Sequence, residues 1–411
     1  MRQVENGLLA GIASTGAPQK AFPIRERMKY YHVPGVSLAV INRGRIEWTK
    51  GYGILKAGTN QEVTPETLFQ IGSVGKVIAA MTTLALVHQG WLELDVDVRQ
   101  YLKSWKIPEN KFSRNTAITL RQLLSHTAGI MADNSAPFHL GSPLPSLTEH
   151  LKTKNYEAIK PPGESYFYSG AGYIIIEQII EDVTGKPYAD VAKDEVLNPL
   201  GMKDTYLTQV LDDRLLDRAA LAHHHDGSLY PDKYPVYPCY APGTCNWSTA
   251  SDLAKLFIEL LRSYNGQPES KFPPLFAREM MKNHSSAYGL GLKVIDDGAG
   301  ILVGHSGDFY GFHACFYGYR DEGRGVAILT NGDKGVLLYN EIIRAVASAY
   351  DWPGCHPETA SSVGLDGSQA ENVCGCYFLP GLLDVMNVYL KNGDLCCDVL
   401  GDTGTKLIPI S

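Results

Sequence analysis

The sequence predicts an α/β protein of the α+β kind, and three stretches carry that prediction. Residues 36–52 alternate like two strands, residues 95–285 show mostly helical periodicity with long irregular connections, and strand patterning returns from residue 288. Strands at both ends with helices between them describe one composite domain. Its antiparallel sheet joins an N-terminal hairpin to three late strands, and the helical region is a large insertion.

In chain order, "GVSLAVINRGRIEWTKGYG" gives strands at 36–41 and 45–52 around a tight turn at Asn42–Gly44. A helix follows, with Val77, Ile78, Met81, Leu84, Ala85 and His88 at helical spacing and Gly90 closing it. "GYIIIEQIIEDVTG" is a second helix that turns Ile175, Ile176, Ile179, Ile180 and Val183 inward and ends at Gly185. The late strands are read at "YGLGLKVID", "GFHACFYGY" and "RGVAILTN", with a helix in "VLLYNEIIRAVASAY" after them. Beyond the polar linker "DWPGCHPETASSVGLDGSQ", the run "VMNVYLKNGDLCCDVLG" is a hairpin whose Asn392–Gly393 pair suits a type I′ turn. That tail is too short to close an eight-stranded barrel.

Bulk properties remove several classes of function. Of 411 residues 44% are apolar and 20% charged, a balance that buries a sizeable core. The net charge of -7, with no basic stripe, argues against a nucleic-acid partner. No apolar run approaches the roughly 20 residues that span a bilayer. The N-terminal "GLLAGIA" is short for a signal peptide and follows Glu5, so a cytoplasmic location and no membrane partner are expected.

All eight cysteines follow residue 238 without a C-x-x-C pair and read as small buried hydrophobes, not zinc ligands. His223, His224 and His225 are consecutive, so neither helix nor strand puts all three on one face. No metal or cofactor is expected. His126 in "LLSHTAGI" reads as a buried structural histidine. The segment "AHHHDGSLYPDKYPVYPCYAPGTCNW" reads as a loop over a cleft, either an aromatic acyl pocket or a solvated loop.

The chemistry centres on "FQIGSVGKVIAAM". Ser73 and Lys76 form the chain's sole S-x-x-K, and the lysine stands in a first helical turn, where the helix dipole opposes it. Positions i and i+3 share a helix face, so the amine can reach the serine hydroxyl and take its proton. A lysine can do this near neutral pH only if desolvation or a neighbouring cation lowers its pKa by about three units, roughly 4–5 kcal/mol. Backbone N–H groups at the helix start suit an oxyanion. Tyr168, in "GESYFYSGAGY" just before the isoleucine-rich helix, is a candidate proton carrier. In "LVGHSGDFYGF", Gly304 and Gly307 flank His305 and Ser306, and the Asp308 N–H is a candidate second oxyanion donor. His305 can orient an acyl group or exchange a proton.

These pieces, S-x-x-K, then Tyr168, then H-x-G, stand in the signature order of serine β-lactamases and penicillin-binding proteins. The chain resembles their class C branch, with family VIII carboxylesterases, D-aminopeptidases and lovastatin-type acyltransferases. "TLFQIGSVGK", "ITLRQLLSHTAGI", "YSGAGYIIIEQIIEDVTG", "LNPLGM" and "GHSGDFYGF" carry the likeness, from about residue 25 to about residue 350. The resemblance implies a β-lactamase/transpeptidase-like fold over 1–355, with its insertion at about 95–285. Residues 356–411 would be a linker and a short β-rich tail resembling a shortened lipocalin-like module.

It implies Ser73 as nucleophile, Lys76 and Tyr168 sharing the work of the base, and the Ser73 and Asp308 N–H groups as oxyanion hole. His305, Ser306, Gly307 and Gly170 would be substrate-binding positions. Two departures tilt the expectation towards esters. His305 stands where lactamases carry a lysine for the substrate carboxylate, and Gly170 replaces the asparagine that binds the substrate's acylamide. The expected activity is hydrolysis of a small-molecule carboxylic ester through an acyl-Ser73 intermediate. The alternatives are acyl transfer from a thioester or ester donor, including an acyl-carrier thioester, a D-amino-acid peptidase or β-lactamase, and a non-catalytic scaffold.

Overall fold

A computed structural model describes residues 1–15, 19–379, 384–399, 402–407 and 409–410. Two strands, β1 (Gly35–Asn42) and β2 (Arg45–Gly53), pair through a turn in which Arg43 and Gly44 both take positive φ. That is the twist-matched two-residue connection a hairpin favours. Helix α1 (Gly75–His88) follows, entered through a 3₁₀ turn at Gly72–Val74. Helices α2 (Gly170–Thr184) and α3 (Ala250–Tyr264) belong to the long helical region. The chain then returns as β3 (Lys293–Asp296), β4 (Ile301–Phe309), β5 (Phe312–Tyr319) and β6 (Arg324–Thr330) before helix α4 (Gly335–Ala349).

These strands make one antiparallel sheet in the order β2-β1-β6-β5-β4-β3. It has six strands where five were expected, because the glycine-rich "LVGHSGDF" is itself a strand. With Gly304 and Gly307 in it and polar residues between them, β4 shows no apolar alternation, and the sheet around it imposes the extended form. The first late strand is also shorter than expected, starting at Lys293 and not at Tyr288.

Both faces of the sheet are covered, which is why β1 is buried almost throughout. Val36, Leu38 and Val40 meet Leu338, Ile342 and Val346 of α4 on one side. Ala39 and Ile41 face the main core on the other, shared with Phe257 of α3 and the helical region. Helix α1 runs inside that core, and every residue from Gly75 to Leu86 is buried, so only its last two residues, Val87 and His88, reach solvent. Its periodic apolar residues therefore marked the helix but understated its burial.

In the tail, β7 (Gly375–Leu379), β8 (Asp384–Lys391), β9 (Asp394–Val399) and β10 (Asp402–Lys406) form an antiparallel four-stranded meander. Asn392 and Gly393 both take positive φ at the β8–β9 turn. A small cluster of Ala370, Val388, Leu395 and Cys397 packs within it. No helix among the described residues is long and apolar enough to cross a membrane.

Candidate active site

Ser73 lies in the 3₁₀ turn and Lys76 in the first turn of α1, so three residues of helical rise stack one above the other. Lys76 Nζ donates to Ser73 Oγ at 2.9 Å and to the Pro242 carbonyl at 2.7 Å. The lysine is 2% exposed, and no carboxylate forms an ion pair with it among the described residues. Desolvation brings its pKa down from 10.5 to about 7, only partly opposed by the negative charge of Asp133. Ser73 itself is only half-buried and can be reached from outside.

Tyr168 presents its ring to the same amine, with Lys76 Nζ 5.0 Å from the ring centroid. Its position comes from the residues on either side. Phe167 N donates to the His126 carbonyl at 2.7 Å, Ser169 N to His126 Nδ1 at 3.1 Å, and Ser169 Oγ to the Met131 carbonyl at 2.7 Å. Ser169 Oγ also caps α2 by accepting from Gly172 N at 3.1 Å. His126 is buried, as expected, and its ring lies 4.2 Å from that of Tyr168. Tyr168 is 39% exposed overall. Desolvation pushes its pKa up to about 12, against the pull of the Ser73 hydroxyl and of Lys293.

The 3₁₀ turn and β4 meet glycine against glycine. A Cβ on Gly307 would lie 1.9 Å from the Ile71 carbonyl oxygen and 2.7 Å from Ser73 N, and one on Gly72 would lie 2.8 Å from Asp308 N. Gly72 takes a φ of +50. The two expected oxyanion donors, Ser73 N–H and Asp308 N–H, thus sit on backbones in direct contact, an approach any side chain would block.

The remaining expected residues divide by strand face. His305 lies on the Ser73 face but is 2% exposed, and both ring nitrogens are engaged. Nδ1 lies 2.5 Å from the Ser306 carbonyl and must donate to it, which leaves Nε2 to accept from Tyr288 Oη at 2.8 Å. Desolvation, with Lys76 and Lys293 nearby, holds the ring's pKa well below 6.5, so it is neutral. Ser306 turns to the opposite face, where Lys293 Nζ donates to its hydroxyl at 3.3 Å. The Asp308 side chain also turns away and pairs with His313 Nδ1 at 2.6 Å. Gly170 opens α2, and Asp133 lies across from it.

Three contributors went unread in the sequence. Pro242 supplies a carbonyl, to which no side-chain pattern can point. Tyr288 lies outside every motif. Glu177 is the one with a signal, a carboxylate in the middle of an isoleucine run. It is buried and accepts from Tyr240 N and Ala241 N, both at 2.7 Å, which fixes the loop that carries Pro242. Burial raises its pKa to about 8 in spite of those two bonds.

The tyrosine- and proline-rich segment divides in two: His225, Asp226, Ser228, Pro231 and Lys233 are exposed, and from Tyr234 on the chain is a buried wall. Tyr234, Val236, Tyr237 and Cys239 are buried in the main core. His223 is buried too, accepting from Ala57 N at 3.0 Å while Nδ1 faces the Asn331 carbonyl at 2.8 Å. Cys239, Cys245, Cys315, Cys396 and Cys397 are buried, whereas Cys376 is exposed. No cluster of metal-ligating side chains occurs among the described residues. Two surface pockets of about 690 and 530 Å³ lie elsewhere, and neither is lined by Ser73, Lys76 or Tyr168.

The arrangement is a serine with a neutralisable lysine on one side, a tyrosine over both, and two backbone donors behind. Known proteins resemble this chain in sequence and in fold. The beta-lactamase family model matches residues 24–351. The unguisins hydrolase ungD' of Aspergillus campestris is 32% identical over 221 residues, 52% of this chain and 40% of that protein. Penicillin-binding protein 4 of Amycolatopsis lactamdurans is 31% identical over 208 residues, 50% of this chain and 53% of that one. This chain spans about half the length of the curated relatives it matches. The octameric penicillin-binding protein homologue from Pyrococcus abyssi superposes with a TM-score of 0.67 at 23% identity, covering 94% of this chain and 88% of that one, a likeness of fold. The sheet, the buried α1 and the matched span agree, and the chain belongs to the beta-lactamase family.

Proposed function

We propose that the protein is a serine hydrolase of carboxylic esters that works through an acyl-Ser73 intermediate. One observation carries the reading: Lys76 Nζ, buried and without a carboxylate partner, donates to Ser73 Oγ at 2.9 Å. A lysine brought to about pKa 7 is neutral often enough to accept a proton at physiological pH. In the acylation step Ser73 Oγ bonds to the ester carbonyl carbon as its proton passes to Lys76 Nζ. The carbonyl oxygen takes the negative charge between the Ser73 and Asp308 N–H groups, each worth about 3–4 kcal/mol to the transition state. The C–O bond to the alcohol then breaks, and the departing oxygen takes the proton from Lys76 or through Tyr168. Water attacks the acyl-serine by the same path and releases the acid.

Two features support esters over anionic β-lactams. His305 is neutral with both nitrogens occupied, so it offers no charge for a substrate carboxylate. Gly170 has no amide for an acylamide.

The test is hydrolysis of p-nitrophenyl acetate and butyrate by wild type, Ser73→Ala and Lys76→Ala, with nitrocefin alongside. Turnover by wild type that falls by about a thousandfold or more in both variants is expected, with little nitrocefin cleavage. Activity that survives in Ser73→Ala would overturn the mechanism. An added alcohol that diverts the acyl group into a new ester would move the reading to acyl transfer.

A further inference from the structure

Alternation along β4 gives that strand a second face. His305 and Gly307 turn towards Ser73, so Ser306 and Asp308 turn the other way. Cys315, the partner of Ser306 in the sheet, packs on that side in the core that α4 shares. Between this side of the sheet and α4 lies a cavity of about 390 Å³, which Cys355 and His356 complete.

Two cations line the cavity without a carboxylate of their own. Lys293 Nζ donates to Ser306 Oγ at 3.3 Å, and Arg344 Nε donates to the Leu9 carbonyl at 2.7 Å. Neither forms an ion pair among the described residues. Helical spacing would give Arg344 the carboxylate of Glu341, one turn earlier on α4. Arg27 takes it instead, with Nε and Nη2 donating to its two oxygens at 2.7 Å each, and Tyr31 Oη donates to it at 2.7 Å. Arg344 is half-buried, and desolvation lowers its pKa with Glu341 opposing only in part. Its Nη groups, which carry most of a guanidinium's donors, have no acceptor among the described residues.

The rest of the lining describes what would complete these cations. Asp308 reaches the cavity as well, but His313 Nδ1 holds its carboxylate at 2.6 Å. Two cations against one carboxylate leave a single positive charge to answer. The hydroxyls of Tyr317 and Tyr339 meet that of Ser306, so the polar part of the lining is rich in donors. Ile295, Leu302, Val336 and Ile343 make up an apolar part. A bare oxyanion would leave those four side chains against water, whereas an anion on an apolar body would cover them. A carboxylate also matches the flat fork of a guanidinium.

We infer that the cavity behind β4 binds a small organic anion, a carboxylate on an aliphatic or aromatic body, with Lys293 and Arg344 answering its charge. The site lies across the sheet from Ser73 and does not depend on which reaction Ser73 performs.

Titration calorimetry on the full chain tests it, with hexanoate, its uncharged counterpart 1-hexanol and inorganic phosphate as probes. Wild type should bind a single hexanoate, with hexanol and phosphate each weaker by about tenfold or more. Arg344→Gln and Lys293→Gln should each weaken hexanoate by about tenfold or more, and Arg344→Lys, which keeps the charge, by less than Arg344→Gln. Far-UV circular dichroism shows that each variant is folded, and if one glutamine variant is not, the other decides. No saturable binding of hexanoate by wild type up to about 10 mM overturns the site. Binding that the glutamine variants leave unchanged puts the anion elsewhere, the Ser73 cleft included, and overturns it too. Hexanol or phosphate binding as tightly as hexanoate overturns the class of ligand.

Discussion

If Lys76 is the base that the geometry describes, pH should switch the enzyme around the value its burial sets. With a pKa of about 7, neutral Lys76 falls from about nine-tenths of the molecules at pH 8 to about one-tenth at pH 6. Therefore kcat/KM for p-nitrophenyl butyrate should drop about tenfold over that interval, read at the isosbestic wavelength of p-nitrophenol. Tyr168 acting alone, at about 12, would give a rate still climbing above pH 8. The same burial appears in stability. The folded pKa lies below the unfolded value of 10.5, so between about pH 7 and 10.5 the unfolded chain holds more protons and stability rises with pH. Below pH 7 the full cost of a charged buried lysine is present, about 4–5 kcal/mol as an upper figure. Lys76→Met removes it, so urea denaturation should show the variant's advantage over wild type shrinking by up to that amount between pH 6 and pH 10. A rate that is flat from pH 6 to 8, together with an advantage independent of pH, would refute the reasoning.

Two further substitutions probe the supports of the site. Gly307→Ala puts a methyl group 1.9 Å from the Ile71 carbonyl oxygen, so the 3₁₀ turn must move. Esterase activity should fall by about a hundredfold or more as the oxyanion donors separate, while the far-UV circular dichroism changes little; full activity would show that the two backbones need not touch. Glu177→Ala strands the N–H groups of Tyr240 and Ala241, and each lost acceptor should cost about 1–3 kcal/mol in urea denaturation. The variant's pH–rate midpoint should shift as well, since the Pro242 carbonyl that holds Lys76 belongs to the same loop. An unmoved midpoint would separate the loop from the base.

What could be read in the sequence is what local chemistry specifies. The hairpins at 35–53 and 384–399 follow from alternating residues around Arg43–Gly44 and Asn392–Gly393, which tolerate positive φ. The pairing of Ser73 with Lys76 follows from helical spacing alone. The β4 strand could not be read this way, because its glycines exist for the backbone contact with Gly72 and cost it the apolar rhythm of a strand. Ser306 was read beside His305 as a substrate contact, but alternation along a strand sends neighbours to opposite faces, and Ser306 faces Lys293. Pro242 reaches the site from a loop whose course only the packed core decides.

The expected and the unexpected residues together explain how a lysine can stand in the first turn of a helix. Its charge opposes the dipole, and burial opposes it further, yet the site needs the neutral amine and not the ammonium. The two penalties act in the same direction as the function, since each lowers the pKa of Lys76 towards the point where it can accept the serine proton. What the fold must still supply is a fixed position for an uncharged amine without a carboxylate that would restore its charge. The Pro242 carbonyl does that, accepting a hydrogen bond without a full negative charge, and Glu177 keeps its own carboxyl group one step away, on the N–H groups of Tyr240 and Ala241. Placing a carboxylate directly on Lys76 would hold the amine protonated and idle, so the intervening loop is the part of the design on which the base depends.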